Sequence, residues 1–138
     1  MIKRIGGTNR YSDIVIHDDI VYLSGVVPYT TADISGSSVY DQTKEVLSLI
    51  DKNLEIAGTS KHYMLSMTIY LTDEKSYEEM NKAFDEWTSI SPRSAPARAT
   101  IGNVKFPNSS WKIEIVCTAA IPKTLSSFNG SSSANYII

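Results

Sequence analysis

Two charged side chains of opposite sign stand in segments that otherwise read as strands. Arg98 follows Pro96 in the run Ala97-Arg98-Ala99-Thr100. Small neighbours leave room around a guanidinium, and its planar fork matches a carboxylate through two parallel hydrogen bonds. Glu114 sits on the polar parity of the alternating run Lys112-Ile113-Glu114-Ile115. The pattern places both residues on one polar sheet face, where they can approach. Spacing leaves open an anion-binding arginine, a structural Arg98–Glu114 ion pair, or a solvated carboxylate at Glu114.

Other reactive types offer less. The two histidines, His17 and His62, have no second ligand type at a metal-binding spacing. The sequence has no glycine-rich phosphate loop, CxxC pair or HExxH helix, so no metal or cofactor is expected. Cys117 falls on the apolar parity of the last strand and reads as a small buried residue. Asn81 stands beside Met80 in a helical stretch, with an exposed helix position as its plain reading. Tyr11 precedes the first clear strand. Ser24-Gly25 ends another, where glycine often marks close backbone approach.

The elements that must position these residues follow from periodicity. Two apolar runs, at 14–16 and 20–27, are split by Asp18-Asp19 and predict a hairpin ended by Pro28. Residues 29–38 read as a loop. Ser38 stands three residues before Asp41, a capping spacing. Thr43, Leu47, Ile50, Leu54 and Ala57 then form one apolar helical stripe, and Gly58 suits a left-handed cap. In 63–71, Tyr63, Leu65, Met67, Ile69 and Leu71 alternate with Met64, Ser66, Thr68 and Tyr70, which predicts a strand. Asp73 is placed to cap a second helix whose Tyr77, Met80, Phe84 and Trp87 share a face. Ser89 to Pro96 breaks that helix. Strands over 97–104 and 111–121 complete the order, with an extra edge strand at Ile2 to Ile5. The sum is an α+β fold: a mostly antiparallel or mixed sheet with two helices packed on one face. The other face would carry Ser66, Thr68, Tyr70, Arg98, Thr100 and Glu114, a mixture that another copy of the chain can cover.

Composition bounds the rest. The 138 residues suit one domain, over 1–121, with a Ser-rich C-terminal tail over 122–138 ending in Asn135-Tyr136-Ile137-Ile138. A formal net charge of −2 disfavours nucleic acid or an acidic lipid surface as partner. One cysteine rules out an intrachain disulfide. No apolar run approaches a membrane span or follows the basic N-terminus as a secretory signal would, so a cytoplasmic location is expected. A chain this small folds alone, yet it has little material with which to wall a deep pocket.

Taken in order, Tyr22-Leu23-Ser24-Gly25-Val26-Val27-Pro28, Leu54-Glu55-Ile56-Ala57-Gly58, Met80-Asn81-Lys82-Ala83-Phe84, Pro96-Ala97-Arg98-Ala99-Thr100 and Lys112-Ile113-Glu114-Ile115 resemble the Rid family, also called YjgF or L-PSP proteins. Arg10-Tyr11-Ser12-Asp13 and Met80-Asn81-Lys82-Ala83 look most like its YoaB-type branch. The resemblance implies a chorismate-mutase-like fold, a homotrimer with sites between subunits, and an enamine/imine deaminase activity that converts 2-imino acids such as 2-iminopropanoate to 2-keto acids and ammonia. It implies that Arg98 grips the substrate carboxylate and Glu114 serves the attacking water. Tyr11, Ser24, Gly25, Asn81 and Thr100 match further substrate-binding positions. Thr100 stands where a cysteine is common in the family, and the path from Arg98 to Glu114, through Pro107-Asn108-Ser109-Ser110, is one residue longer. Two rival readings go with the resemblance: a non-catalytic binder of small carboxylates acting as a regulator or chaperone-like protein, and an endoribonuclease or translation inhibitor. The slightly acidic charge and the lack of a basic stripe with interleaved aromatics weigh against the last.

Overall fold

The computed structural model describes residues 1–28, 33–89 and 93–123. The tail from 124 onward, part of the 29–38 loop and the centre of the break before Pro96 therefore lie outside the described residues.

Strands β1 (Ile2–Ile5), β2 (Ile14–His17) and β3 (Ile20–Leu23) form an antiparallel meander. The acidic pair turns the β2–β3 hairpin, with Asp18 in the left-handed region at φ 55°. Helix α1 (Val39–Ile56) starts where Ser38 Oγ accepts the Asp41 N–H at 3.0 Å. It ends in Gly58 at φ 88°, which lets Thr59 N–H return to the Leu54 carbonyl at 2.9 Å. Its stripe Thr43, Leu47, Ile50 and Leu54 is buried as the pattern requires.

Strand β4 (Met64–Leu71) leads through α2 (Tyr77–Thr88) to β5 (Ala97–Ile101), and β6 (Ile113–Ala120) closes the chain order. Asp73 caps the short 3-10 turn Glu74–Ser76 in front of α2, not α2 itself; its carboxylate accepts the Lys75 N–H at 2.9 Å. The six strands lie in the order β1-β2-β3-β6-β4-β5. The β4–β5 pair is parallel, as a helical crossover demands, and the other pairs are antiparallel. The chain is thus a mixed-sheet α+β fold.

The core lies between the helices and one sheet face. Ile113, Ile115, Cys117 and Ala119 of β6 alternate inward, joined by Met67, Ile69 and Leu71 of β4 and by Met80 and Phe84 of α2. The alternation expected for β4 fails at its start. A register irregularity between Met64 and Ser66 turns Met64 inward (7% exposed) and Leu65 outward (44%). One extra residue in a strand reverses side-chain parity on one side of it.

Candidate active site

Residues paired across a sheet share a face. Glu114 pairs with Tyr70, which pairs with Ile101, so this row lies on the face that the helices leave uncovered. Arg98 pairs with Met67, and Thr100 with Ile69. Met67 and Ile69 are core residues, so Arg98 and Thr100 belong to the helix side. The expectation that Arg98, Thr100 and Glu114 share one polar face is therefore corrected. The parity was right, but the side was not: β5 is an edge strand whose helix-side residues meet the rim of α2, where polar groups are tolerated. Its other parity, Ala97, Ala99 and Ile101, faces outward beside β4. Among the described residues no ion pair joins Arg98 to Glu114.

On the helix side, α2 supplies the surroundings of Arg98. The guanidinium carbon lies 4.9 Å from the centroid of the Phe84 ring and 5.8 Å from that of Tyr77. Arg98 Nη2 donates to Tyr77 Oη at 3.2 Å. Asn81 lies one helical turn from both rings, on the same side of α2. Its Oδ1 is buried without a partner, and so is the Thr100 Oγ1 two residues along β5. The facing sides of α2 and β5 thus carry one cation and two buried, unpartnered polar atoms. Buried polar groups are normally satisfied, so each of the two is open to a polar partner. Sequence reasoning missed Tyr77 in this role and counted it with the core face of α2. Its exposure of 42% and its contact with Arg98 place it at the surface beside the guanidinium.

On the uncovered face, Glu114 lies against Gly25. A Cβ on Gly25 would stand 2.2 Å from Glu114 Oε2, so the carboxylate fills the space that any side chain there would need. Val26 pairs with Ile115 by two backbone hydrogen bonds of 2.8 and 3.0 Å, which fixes this approach. The Ser24 N–H donates to the Asp13 carbonyl at 3.0 Å, tying Ser24-Gly25 to the loop that carries Tyr11. Tyr11 itself is exposed. Partial burial raises the Glu114 carboxyl above its ordinary 4.5. The structure thus brings Glu114 together with Gly25 and Ser24, and Arg98 together with Asn81 and Thr100, as two separate groups.

A residue that the sequence pattern passed over ties the first group down. Gln42 is 2% exposed on the apolar stripe of α1. Its Nε2 donates to the Ile34 and Ser110 carbonyls at 3.2 and 3.0 Å, and its Oε1 accepts the Lys112 N–H at 2.8 Å. It anchors the approach to β6 just before Glu114. Cys117 is buried at 1% exposure, and that burial pushes its thiol up to about 12, which leaves no reactive thiolate. Among the described residues no group of three or more His, Cys, Asp or Glu is placed to hold a metal ion, and no helix is long and apolar enough to cross a membrane.

Comparison with known proteins places the chain. A family model described as Endoribonuclease L-PSP matches residues 1–121. A RutC family protein of Haemophilus ducreyi is 45% identical over 121 residues, covering 88% of this chain and 97% of that protein. The RutC family protein YoaB of Escherichia coli K12 is 37% identical over 120 residues, covering 87% of this chain and 98% of YoaB. A solved structure of a YjgF family member from Neisseria meningitidis superposes with a TM-score of 0.80 at 33% identity, over 90% of this chain and 98% of that one.

Proposed function

Because the chain belongs to the endoribonuclease L-PSP family, in its RutC and YjgF group with YoaB among its relatives, we propose that it hydrolyses 2-imino acids to 2-keto acids and ammonia, in sites shared between copies of a homotrimer. The carrying observation is the surroundings of Arg98: a guanidinium beside two aromatic rings, with the buried oxygens of Asn81 and Thr100 unpartnered on the same side. A small ligand with a carboxylate at one end and a polar nitrogen at the other suits these groups.

In this reading Arg98 takes the substrate carboxylate. Glu114 accepts a proton from water as the water oxygen bonds to the imine carbon, and passes that proton to the imine nitrogen, giving a carbinolamine. It then takes the proton of the new hydroxyl and delivers it to the amino nitrogen as the carbon–nitrogen bond breaks and the carbonyl forms, leaving keto acid and ammonia. Imine plus water balances keto acid plus ammonia, with no redox step. The imine carbon is already electrophilic, so positioning and one base supply the few orders of magnitude required.

A single chain sets Arg98 and Glu114 on opposite sheet faces, and this favours a shared site. One copy would offer the β5 edge with Arg98, Asn81 and Thr100. Its neighbour would offer the uncovered face with Glu114, Gly25, Ser24 and Tyr11. The same assembly answers how a chain of 138 residues walls a pocket.

The test is release of keto acid and ammonia from freshly generated 2-iminopropanoate. Arg98→Ala should lose this activity, and a variant as active as the parent would refute the reading. Glu114→Ala separates catalyst from binder. A catalyst loses turnover and keeps affinity for pyruvate, whereas a carboxylate-binding regulator has no turnover to lose. RNA cleavage that survives repurification and disappears in Arg98→Ala would favour the ribonuclease reading instead.

A further inference from the structure

We infer that Tyr77 is the positioning residue of this site: its hydroxyl fixes the rotation of the Arg98 guanidinium and so presents one chosen fork to the ligand. The inference rests on the proposed carboxylate role of Arg98. It also makes a claim about Tyr77 that can be examined without any ligand.

An arginine on a half-exposed edge strand has a long, mobile stem, and ordering it on ligand binding costs side-chain entropy. Two contacts reduce that cost in advance. Phe84, 4.9 Å from the guanidinium carbon, offers a ring face that attracts the cation but leaves it free to rotate in its own plane. Tyr77 Oη accepts from Nη2 at 3.2 Å, a directional contact that stops the rotation. A guanidinium has five N–H donors, arranged as an end-on fork and a side-on fork. Nη2 contributes one hydrogen to each. Tyr77 occupies one of these, so a single complete fork remains for a carboxylate. The ring of Tyr77, 5.8 Å from the guanidinium carbon, flanks the same group from the exposed side.

The experiment uses the full chain and Tyr77→Phe, which keeps the ring and removes only the hydroxyl. Because Tyr77 lies at the surface, this change leaves folding intact, and Tyr77→Leu serves as the ring-removing companion. Nitrogen-15 NMR of the arginine side chains reads rotation of the Arg98 guanidinium directly, with Arg98→Lys assigning the signal. Slow rotation in the parent and fast rotation in Tyr77→Phe are expected. Pyruvate titration should then show affinity about three- to tenfold weaker in Tyr77→Phe, the net worth of one ordinary, solvent-exposed hydrogen bond. For imine hydrolysis the loss should appear in KM, with kcat within about twofold, as removal of uniform binding requires. An Arg98 signal unchanged by Tyr77→Phe, or pyruvate binding that is unchanged or tighter, overturns the positioning role. Failure of the parent protein to bind pyruvate would instead strike the carboxylate reading, while the Arg98 signal would still decide the role of Tyr77.

Discussion

Arg98 and Glu114 lie on opposite faces of one sheet. Arg98 pairs with Met67 on the helix side, and Glu114 pairs with Tyr70 on the uncovered side. Strand β4 stands between their strands, a separation of about 10 Å across the sheet at the usual strand spacing. One small substrate cannot touch both within a single chain. The proposed chemistry therefore draws them from different copies, and the expectations below follow from that relationship and from the surroundings of each residue.

Gly25 holds the Glu114 carboxylate by leaving it room. Gly25→Ala would put a methyl group 2.2 Å from Oε2, and the side-chain end must swing away. Such a rotamer change costs about 1 kcal/mol, so the fold should persist. Displacing a base by about 1 Å typically costs on the order of 10²-fold, so kcat should fall by that factor. Steady-state kinetics with an unfolding curve decide it, and full kcat in Gly25→Ala would contradict the role of Glu114.

The elevated Glu114 carboxyl gives two pH signatures. As a base it must be ionised, so kcat/KM should fall on acidification with a midpoint above the ordinary 4.5. For stability, burial disfavours the charged form in the folded state. The group's contribution is therefore fully present below its unfolded value and is lost as pH rises through its raised folded value. Glu114→Gln should accordingly be the more stable protein at neutral pH, with the difference vanishing below 4.5. Urea midpoints at both pH values check this, and a pH-independent difference would count against it.

Gln42 anchors α1 to the approach of β6 through two hydrogen bonds, with Ser110 and Lys112, and reaches the Ile34 carbonyl through a third. Gln42→Ala leaves buried backbone groups of Ser110 and Lys112 without partners, at about 1–3 kcal/mol each. A loss of about 2–4 kcal/mol is expected in denaturant unfolding. A loss below about 0.5 kcal/mol would show that solvent replaces these bonds.

The helices and the hairpin were legible because their signals are local. Ser38 with Asp41, the stripe Thr43-Leu47-Ile50-Leu54 and the Asp18-Asp19 turn each act within a few residues. The misreadings have a common origin in context that parity does not carry. Alternation in 63–71 gave the strand but not the irregularity at Leu65, which depends on the partner strand. Alternation in 97–101 separated Arg98 and Thr100 from Ala97 and Ala99. It could not say which set faces α2, because on an edge strand the helix side is only partly covered. Gln42 was invisible for a related reason: its partners Ser110 and Lys112 lie 68 and 70 residues away. The grouping of Arg98 with Asn81, and of Glu114 with Gly25, likewise needed the fold.

The most direct measurement mixes two inactive proteins. Arg98→Ala and Glu114→Gln are each purified, combined in equal amounts, partly unfolded to exchange subunits, and refolded. Random assembly then places an intact Arg98 against an intact Glu114 at about one interface in four. The expected result is return of roughly a quarter of the parent 2-iminopropanoate deaminase activity, absent from either variant treated alone. No recovery, despite exchange verified by mass, would contradict a site shared between copies.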